Sequence, residues 1–256
     1  MAIKIVFSNR KGGSGKTTLA YNIASIVSEK HKTLLIDFDS QAHSSVYAGL
    51  NPFEVKYGIY EGIIDFIKNN TIKNEIITKN DTLDLIPANQ HLAALEIELN
   101  NFEDKNIILK NFLIDIENNY DYIFIDTPPS LNLLTINALN AANYLIIPVK
   151  TDFLSLVGIS QIMEVFYYVN TYQNPDIKLL GIIPTMVNKR LKITQEIFDN
   201  LTNTFGNEKI LTPLRNDVKV IESSSHGIPV HKYAPKSRAS SDLKKIAAEI
   251  LKKVES

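Results

Sequence analysis

Along the 256-residue chain, short apolar runs alternate with longer stretches whose apolar positions recur every three or four residues. The short runs fall at 3–8, 33–38, 82–87, 122–126, 144–149 and 179–185. Several are near-continuous Ile, Leu, Val and Tyr, as strands covered on both faces are. The helix-like stretches include 17–30, 91–101, 107–118, 159–171 and 194–204. Such alternation predicts an α/β, doubly wound architecture: a mainly parallel sheet flanked by helices on both sides. A last helical stretch, 240–255, carries Leu243, Ile246, Ala247, Ile250, Leu251 and Val254 on one stripe and lysines on the other face. Two readings fit it, a helix docked on the sheet or a helix lying on a membrane surface. The stripe has no Phe or Trp anchor and its alanines suit close packing, so docking is the expectation.

Composition narrows the picture. No repeat or low-complexity segment interrupts the alternation, and 45% hydrophobic residues support one large core, so a single domain over 1–256 is expected. There are no cysteines. That excludes disulfides, thiolate zinc sites and cysteine-held iron–sulfur clusters, and agrees with a reducing, cytoplasmic setting. No apolar run reaches about 18 residues, so no transmembrane segment is expected. The short N-terminal run is interrupted by Lys4, so it is not expected to be a signal peptide. The net charge of −1 by itself predicts no nucleic-acid partner. Residues 209–256, however, hold ten Lys or Arg against five Asp or Glu, which implies one basic face.

Directly after the first apolar run the chain reads Lys11-Gly12-Gly13-Ser14-Gly15-Lys16-Thr17-Thr18. A glycine-rich turn can offer several backbone N–H groups to one phosphate chain, and the helix that follows adds a partial positive charge. Lys16 can reach terminal phosphates, and the Thr17 hydroxyl suits Mg²⁺. The strict pattern wants glycine where Arg10 stands, and Lys11 is an extra cation. Two further strands end in acids: 33–38 leads through Asp37 to Asp39, whose side chains fall on the same side of an extended chain, and 122–126 ends at Asp126.

The Lys-Gly-Gly-x-Gly-Lys-Thr-Thr form resembles the deviant Walker ATPases, the family that includes ParA, MinD and the nitrogenase iron protein. The absence of cysteine removes the iron-protein branch. The resemblance implies the phosphate-loop NTPase fold of that family, with ATP and Mg²⁺ as cofactors. It implies that Lys11 works in trans, reaching the partner's phosphates in a nucleotide-sandwich homodimer, while Lys16 works in cis. Asp37-Phe38-Asp39-Ser40-Gln41 is similar to the family's first switch, with Ser40 in place of the usual proline; carried over, Asp39 positions the attacking water and Asp37 supports the metal shell. Asp126 matches the Walker B acid, and Thr127-Pro128-Pro129-Ser130 resembles the second switch of ParA, in which two prolines stiffen the loop. Thr17, Asp37 and Asp126 are thus the metal candidates. The stretch 179–188 resembles the ParA strand that leads to the adenine pocket, which makes Asn188 a base contact. The stretches 83–93 and 151–158 are also ParA-like, so the likeness runs nearly the whole chain.

The same resemblance implies partners. Arg190 stands where ParA relatives place a DNA-binding arginine, Arg215 and Lys219 precede a stretch similar to a basic loop of Soj-type proteins, and Lys236 and Arg238 lie near the start of the tail helix. With no groove-reading motif, these point to sequence-independent phosphate contacts with DNA. The five histidines show no metal spacing. The phosphate loop begins so near the N-terminus that no helix-turn-helix domain is expected before it. The expected protein is a cytoplasmic, nucleoid-associated partitioning ATPase, stimulated by a ParB-like activator. A MinD-like membrane-cycling ATPase and an ATP-dependent biosynthetic enzyme of the same fold are the alternatives.

Overall fold

The computed structural model describes residues 1–152, 155–188 and 191–255, with no side chain described for Leu156. Its strands are β1 (Ile3–Phe7), β2 (Thr33–Asp37), β3 (Thr78–Asn80), β4 (Leu83–Ile86), β5 (Tyr122–Asp126), β6 (Tyr144–Lys150) and β7 (Lys178–Thr185). They form one sheet in the order β3-β4-β2-β5-β1-β6-β7. Every neighbouring pair is parallel except β3 with β4. The helices are α1 (Lys16–Val27), α2 (His43–Tyr47), α3 (Ile59–Asn69), α4 (Leu92–Leu99), α5 (Ile108–Leu113), α6 (Leu133–Ala141), α7 (Ser155–Tyr172), α8 (Lys192–Phe205), α9 (Val218–Ser225), α10 (Val230–Tyr233) and α11 (Arg238–Val254).

The six anticipated strands are all present. The central β2 and β5 are buried at every residue, which is why they read as unbroken apolar runs. Alternate residues of one strand feed two separate cores. Val6, Leu34, Ile36, Ile123 and Ile125 pack under α3 to α8. Ile5, Phe7, Leu35 and Phe124 pack under α1 and α11 on the other face. The doubly wound expectation therefore holds.

Strand β3 and helices α2, α3, α6, α9 and α10 are not evident from the sequence pattern. Strand β3 is three polar residues at the sheet edge, joined to β4 by a tight turn with Asp81 in the left-handed region. Helix α3 opens at Gly58, whose N–H donates to Glu61 Oε2 at 2.8 Å, and it has a glycine inside it. A Cβ at Gly62 would come within 2.2 Å of Ile76 Cδ1, so the residue that weakens the helix signal is the one the packing needs. The tail helix α11 is docked: Leu243, Ile246, Ala247 and Ile250 are buried in the core it shares with α1, so its apolar stripe is covered. No helix among the described residues is long and apolar enough to cross a membrane.

Candidate functional site

The carboxyl ends of β2, β5 and β1, adjacent at the centre of the sheet, meet at one cavity. Ligands of open parallel sheets bind at this end. The chain leaves β1 at Phe7 and turns through the glycine-rich loop into α1 at Lys16. Gly15, immediately before α1, has φ of 93°. A side chain there would be strained and would meet Thr185 Cγ2 at 3.3 Å. Thr185, at the end of β7, donates from Oγ1 to the Ser14 carbonyl at 2.7 Å and fixes the loop from outside. Asn9 fixes its start: Nδ2 donates to the Pro148 carbonyl at 2.7 Å, and Oδ1 accepts from the Lys11 N–H at 3.1 Å.

The cavity measures about 370 Å³ and is lined by the whole stretch 12–18, by Asp39 and Gln41, by His43 and Tyr47 of α2, and by Pro129 and Met186. Lys16 is buried, and that burial lowers its pKa against the opposing pull of Asp126 and Asp39. An ammonium held dry beside carboxylates has its charge concentrated where a polyanion would sit. Ser14 Oγ is buried in the loop with no hydrogen-bond partner.

The carboxylates are arranged in two tiers. Asp37 and Asp126 are register partners on neighbouring strands, and both are fully buried. Burial raises the pKa of each; for Asp37 the charge of Asp126 adds to it, while the Thr17 and Ser44 hydroxyls and then Lys16 oppose it for Asp126. Ser44 Oγ donates to Asp126 Oδ2 at 2.8 Å, and Oδ1 of Asp126 is buried without a partner. Asp37 Oδ2 accepts from both N and Oγ of Ser45 at 2.7 Å. Asp37 Oδ1 lies 3.4 Å from the Asp39 N–H, and of the two acids Asp39 is the one that lines the cavity. Asp39 is held by its own loop, Oδ1 accepting from the Gln41 N–H at 3.0 Å.

An unpaired buried carboxylate oxygen, a neighbouring threonine hydroxyl and a second raised-pKa carboxyl are a donor set that suits a small hard cation. Among the described residues no group of three or more His, Asp and Glu could hold a metal. A cation here would share its shell with phosphate oxygens, as Mg²⁺ does in nucleotide sites.

The remaining anticipated residues lie apart. Lys11 does not line the cavity; its ammonium bonds to Asp152 and, at 3.2 Å, to Ser155 Oγ at the start of α7. Asn188 is exposed outside the cavity lining, and its carbonyl accepts from Leu191 N–H and Thr194 Oγ1. Arg190 lies outside the described residues, as do residues 153 and 154 of the ParA-like stretch 151–158. Arg215 is not a free cation: its guanidinium makes two bonds, of 2.7 and 2.8 Å, to the buried Asp242 of α11. Lys219 pairs with Glu222 at 2.6 Å, and Arg238 Nε lies 3.9 Å from Asp217. Lys236 is exposed just before α11.

Sheet order, loop and acids define a phosphate-loop nucleotide site of the deviant Walker type. Comparison with known proteins agrees. A family model described as an AAA domain matches residues 2–179. The chromosome-partitioning ATPase Soj of Treponema pallidum is 34% identical over 252 residues, 98% of each chain. The putative plasmid partition protein of Borrelia burgdorferi, solved with AMPPNP, superposes with a TM-score of 0.83 at 26% identity over 99% of this chain and 100% of that one. Cobyrinic acid a,c-diamide synthase of Mycobacterium smegmatis, solved with an ATP analogue and magnesium, gives a TM-score of 0.86 at 25% identity, covering 100% and 96%. This chain belongs to the ParA/Soj family of deviant Walker ATPases.

Proposed function

We propose that this chain is a single-domain partitioning ATPase that binds ATP with Mg²⁺, forms a nucleotide-sandwich homodimer, associates with DNA without sequence preference and hydrolyses ATP slowly until a ParB-like partner stimulates it. The observation that carries this reading is the convergence of Lys16, Asp39 and the unpaired Asp126 Oδ1 at the phosphate loop. The partition proteins among its relatives support the cellular role, which would place it in the cytoplasm on the nucleoid.

In this mechanism the loop N–H groups and Lys16 hold the phosphate chain, and the position of Lys16 between Asp39 and Asp126 keeps its charge directed inward. Thr17 and Asp126 would hold Mg²⁺, with Asp37 behind them; the ion would supply charge neutralisation on the phosphates. Asp39, fixed by the Gln41 N–H, orients the attacking water. Lys11 completes the neighbouring protomer's site.

The reading is tested by phosphate release from the isolated chain with Mg-ATP alone. Activity that disappears in Lys16→Ala and falls in Asp39→Ala, while Asp39→Ala still binds ATP, is the expected result. Absence of nucleotide binding in the unaltered chain would overturn it. The likeness to a biosynthetic synthase favours a second reading, in which ATP is consumed only with an acceptor substrate. Release of phosphate with no acceptor added separates the two.

A further inference from the structure

Helix α2 spans five residues and is bonded to both buried acids of the site. The chain enters it through Ala42, whose φ of 53° lies in the left-handed region and whose N–H donates to the Asp39 carbonyl at 2.8 Å. That turn sets the faces of the helix. His43 and Tyr47, one turn apart, line the cavity. Ser44 and Ser45 are fully buried against the ends of β5 and β2.

Each serine takes one acid of the register pair. Ser45 donates from N and Oγ to Asp37 Oδ2, and Ser44 donates from Oγ to Asp126 Oδ2 at 2.8 Å. The held oxygen is Oδ2 in both. What remains differs: Asp37 Oδ1 lies 3.4 Å from the Asp39 N–H, whereas Asp126 Oδ1 is buried with no partner. The Thr17 hydroxyl and the Lys16 ammonium, both belonging to cavity-lining residues, stand near the Asp126 carboxyl. A buried carboxylate oxygen without a donor is costly, and a cation or its water removes that cost.

A carboxylate with one oxygen committed to a hydroxyl has one oxygen left to give. This matters to the choice between two divalent cations. Ca²⁺ takes a large, irregular set of oxygens and accepts both from one carboxylate, whereas Mg²⁺ demands a small octahedral set and keeps several of its waters. We infer that Ser44 is a positioning residue that sets the choice of cation: by holding Oδ2 it restricts Asp126 to its single free oxygen, so that the site takes Mg²⁺ with its nucleotide in preference to Ca²⁺. This rests on the nucleotide reading of the cavity.

The test is titration calorimetry of ADP in EDTA, in saturating Mg²⁺ and in saturating Ca²⁺, on the unaltered chain, Ser44→Ala and Ser44→Thr. Using ADP keeps dimerisation out of the measurement, with light scattering to confirm a monomer. The readout is the ratio of ADP affinities with the two metals, since a merely structural loss weakens both alike. The unaltered chain should favour Mg²⁺. In Ser44→Ala, Asp126 is free to turn both oxygens to the cation, and the ratio should fall about tenfold, the scale of one hydrogen bond to a charged group. Affinity in EDTA should stay within about twofold, because the phosphate loop keeps its backbone donors. Ser44→Thr keeps the hydroxyl and should keep the ratio; should Ser44→Ala not fold, the ratio in Ser44→Thr decides alone. An unchanged ratio in Ser44→Ala, a ratio lost in Ser44→Thr, or no preference for Mg²⁺ in the unaltered chain overturns the inference. If the unaltered chain binds ADP under none of the three conditions, the nucleotide reading itself falls, and this inference with it.

Discussion

The ammonium of Lys11 is bonded to the carboxylate of Asp152, 141 residues further along the chain, and is turned away from the cavity its own loop lines. Within one chain Lys16 is therefore the lysine that lines the cavity, and the proposed reading gives it the phosphates and Lys11 a role elsewhere. Lys16→Ala should weaken ADP and ATP binding by about 30-fold or more, the scale of a charge-assisted hydrogen bond removed from a buried site. Lys11→Ala should bind ADP within about twofold of the unaltered chain, since the backbone donors of Gly12 to Thr18 remain. It should fail to dimerise with ATP on size-exclusion chromatography. Equal losses of ADP affinity in both variants would place Lys11 in its own site and refute the trans role.

Ser45 is the joint between the buried acid and the rest of the fold. It gives two hydrogen bonds to Asp37 Oδ2, and its Oγ accepts the Ala88 N–H at 3.0 Å. Ser45→Ala leaves a buried carboxylate short of one donor and a buried N–H without its acceptor. The expected cost is about 2 kcal/mol in urea unfolding. A change under about 0.5 kcal/mol would mean that water replaces both hydrogen bonds.

The loop and the Walker-type acids were legible because each lies in one contiguous segment at a strand end. What holds them was not. Ser44, Ser45, Asn9, Thr185 and Asp152 are ordinary polar residues in sequence. Their roles come from hydrogen bonds spanning 82 residues for Ser44 with Asp126 and 171 for Thr185 with Ser14. Arg215 illustrates the opposite error. As a basic residue in a basic segment it reads as a surface cation, but its partner Asp242 sits on a helix that begins 23 residues later, and only the docking of α11 brings them together. The edge strand β3 was invisible for a third reason: three polar residues carry no period, and its pairing is set by the turn at Asp81.

His231 gives the fold an acid-sensitive point. It is buried on α10, its Nε2 faces Glu29 Oε1 at 3.0 Å, and its Nδ1 has no partner. Burial lowers its pKa, outweighing the pull of Glu29, while Lys232 and Lys244 push the same way as burial. A histidine with a depressed native pKa takes up its proton in the unfolded chain first. Its contribution is therefore present above the ordinary histidine pKa of 6.5 and lost as pH falls below it. Melting temperature should drop between about pH 7 and pH 5, and His231→Gln should flatten that drop. An equally steep drop in the variant would assign the acid sensitivity to other groups.

Association with DNA should depend on the exposed cations and not on Arg215. Surface pairs such as Lys219 with Glu222 are weak and exchange readily for phosphate, whereas the Arg215–Asp242 fork clamps α11 to the segment after α8. Replacing Lys219, Lys236 and Arg238 together by alanine should leave the melting temperature nearly unchanged. It should weaken binding to two unrelated duplexes alike, and flatten the slope of log affinity against log salt by roughly one unit for each phosphate no longer neutralised. Arg215→Ala should behave oppositely: about 2 kcal/mol less stable, because the buried Asp242 loses its guanidinium partner and keeps only the backbone N–H of residue 215, with the salt slope of the surviving folded protein intact. Joining two protomers doubles the number of cations presented, so binding should be far tighter with ATP than with ADP. Filter binding over a salt series, in both nucleotides, measures all three effects. Equal binding with ADP and ATP, or a salt slope that the triple substitution leaves unchanged, would remove this basic face from the DNA interface.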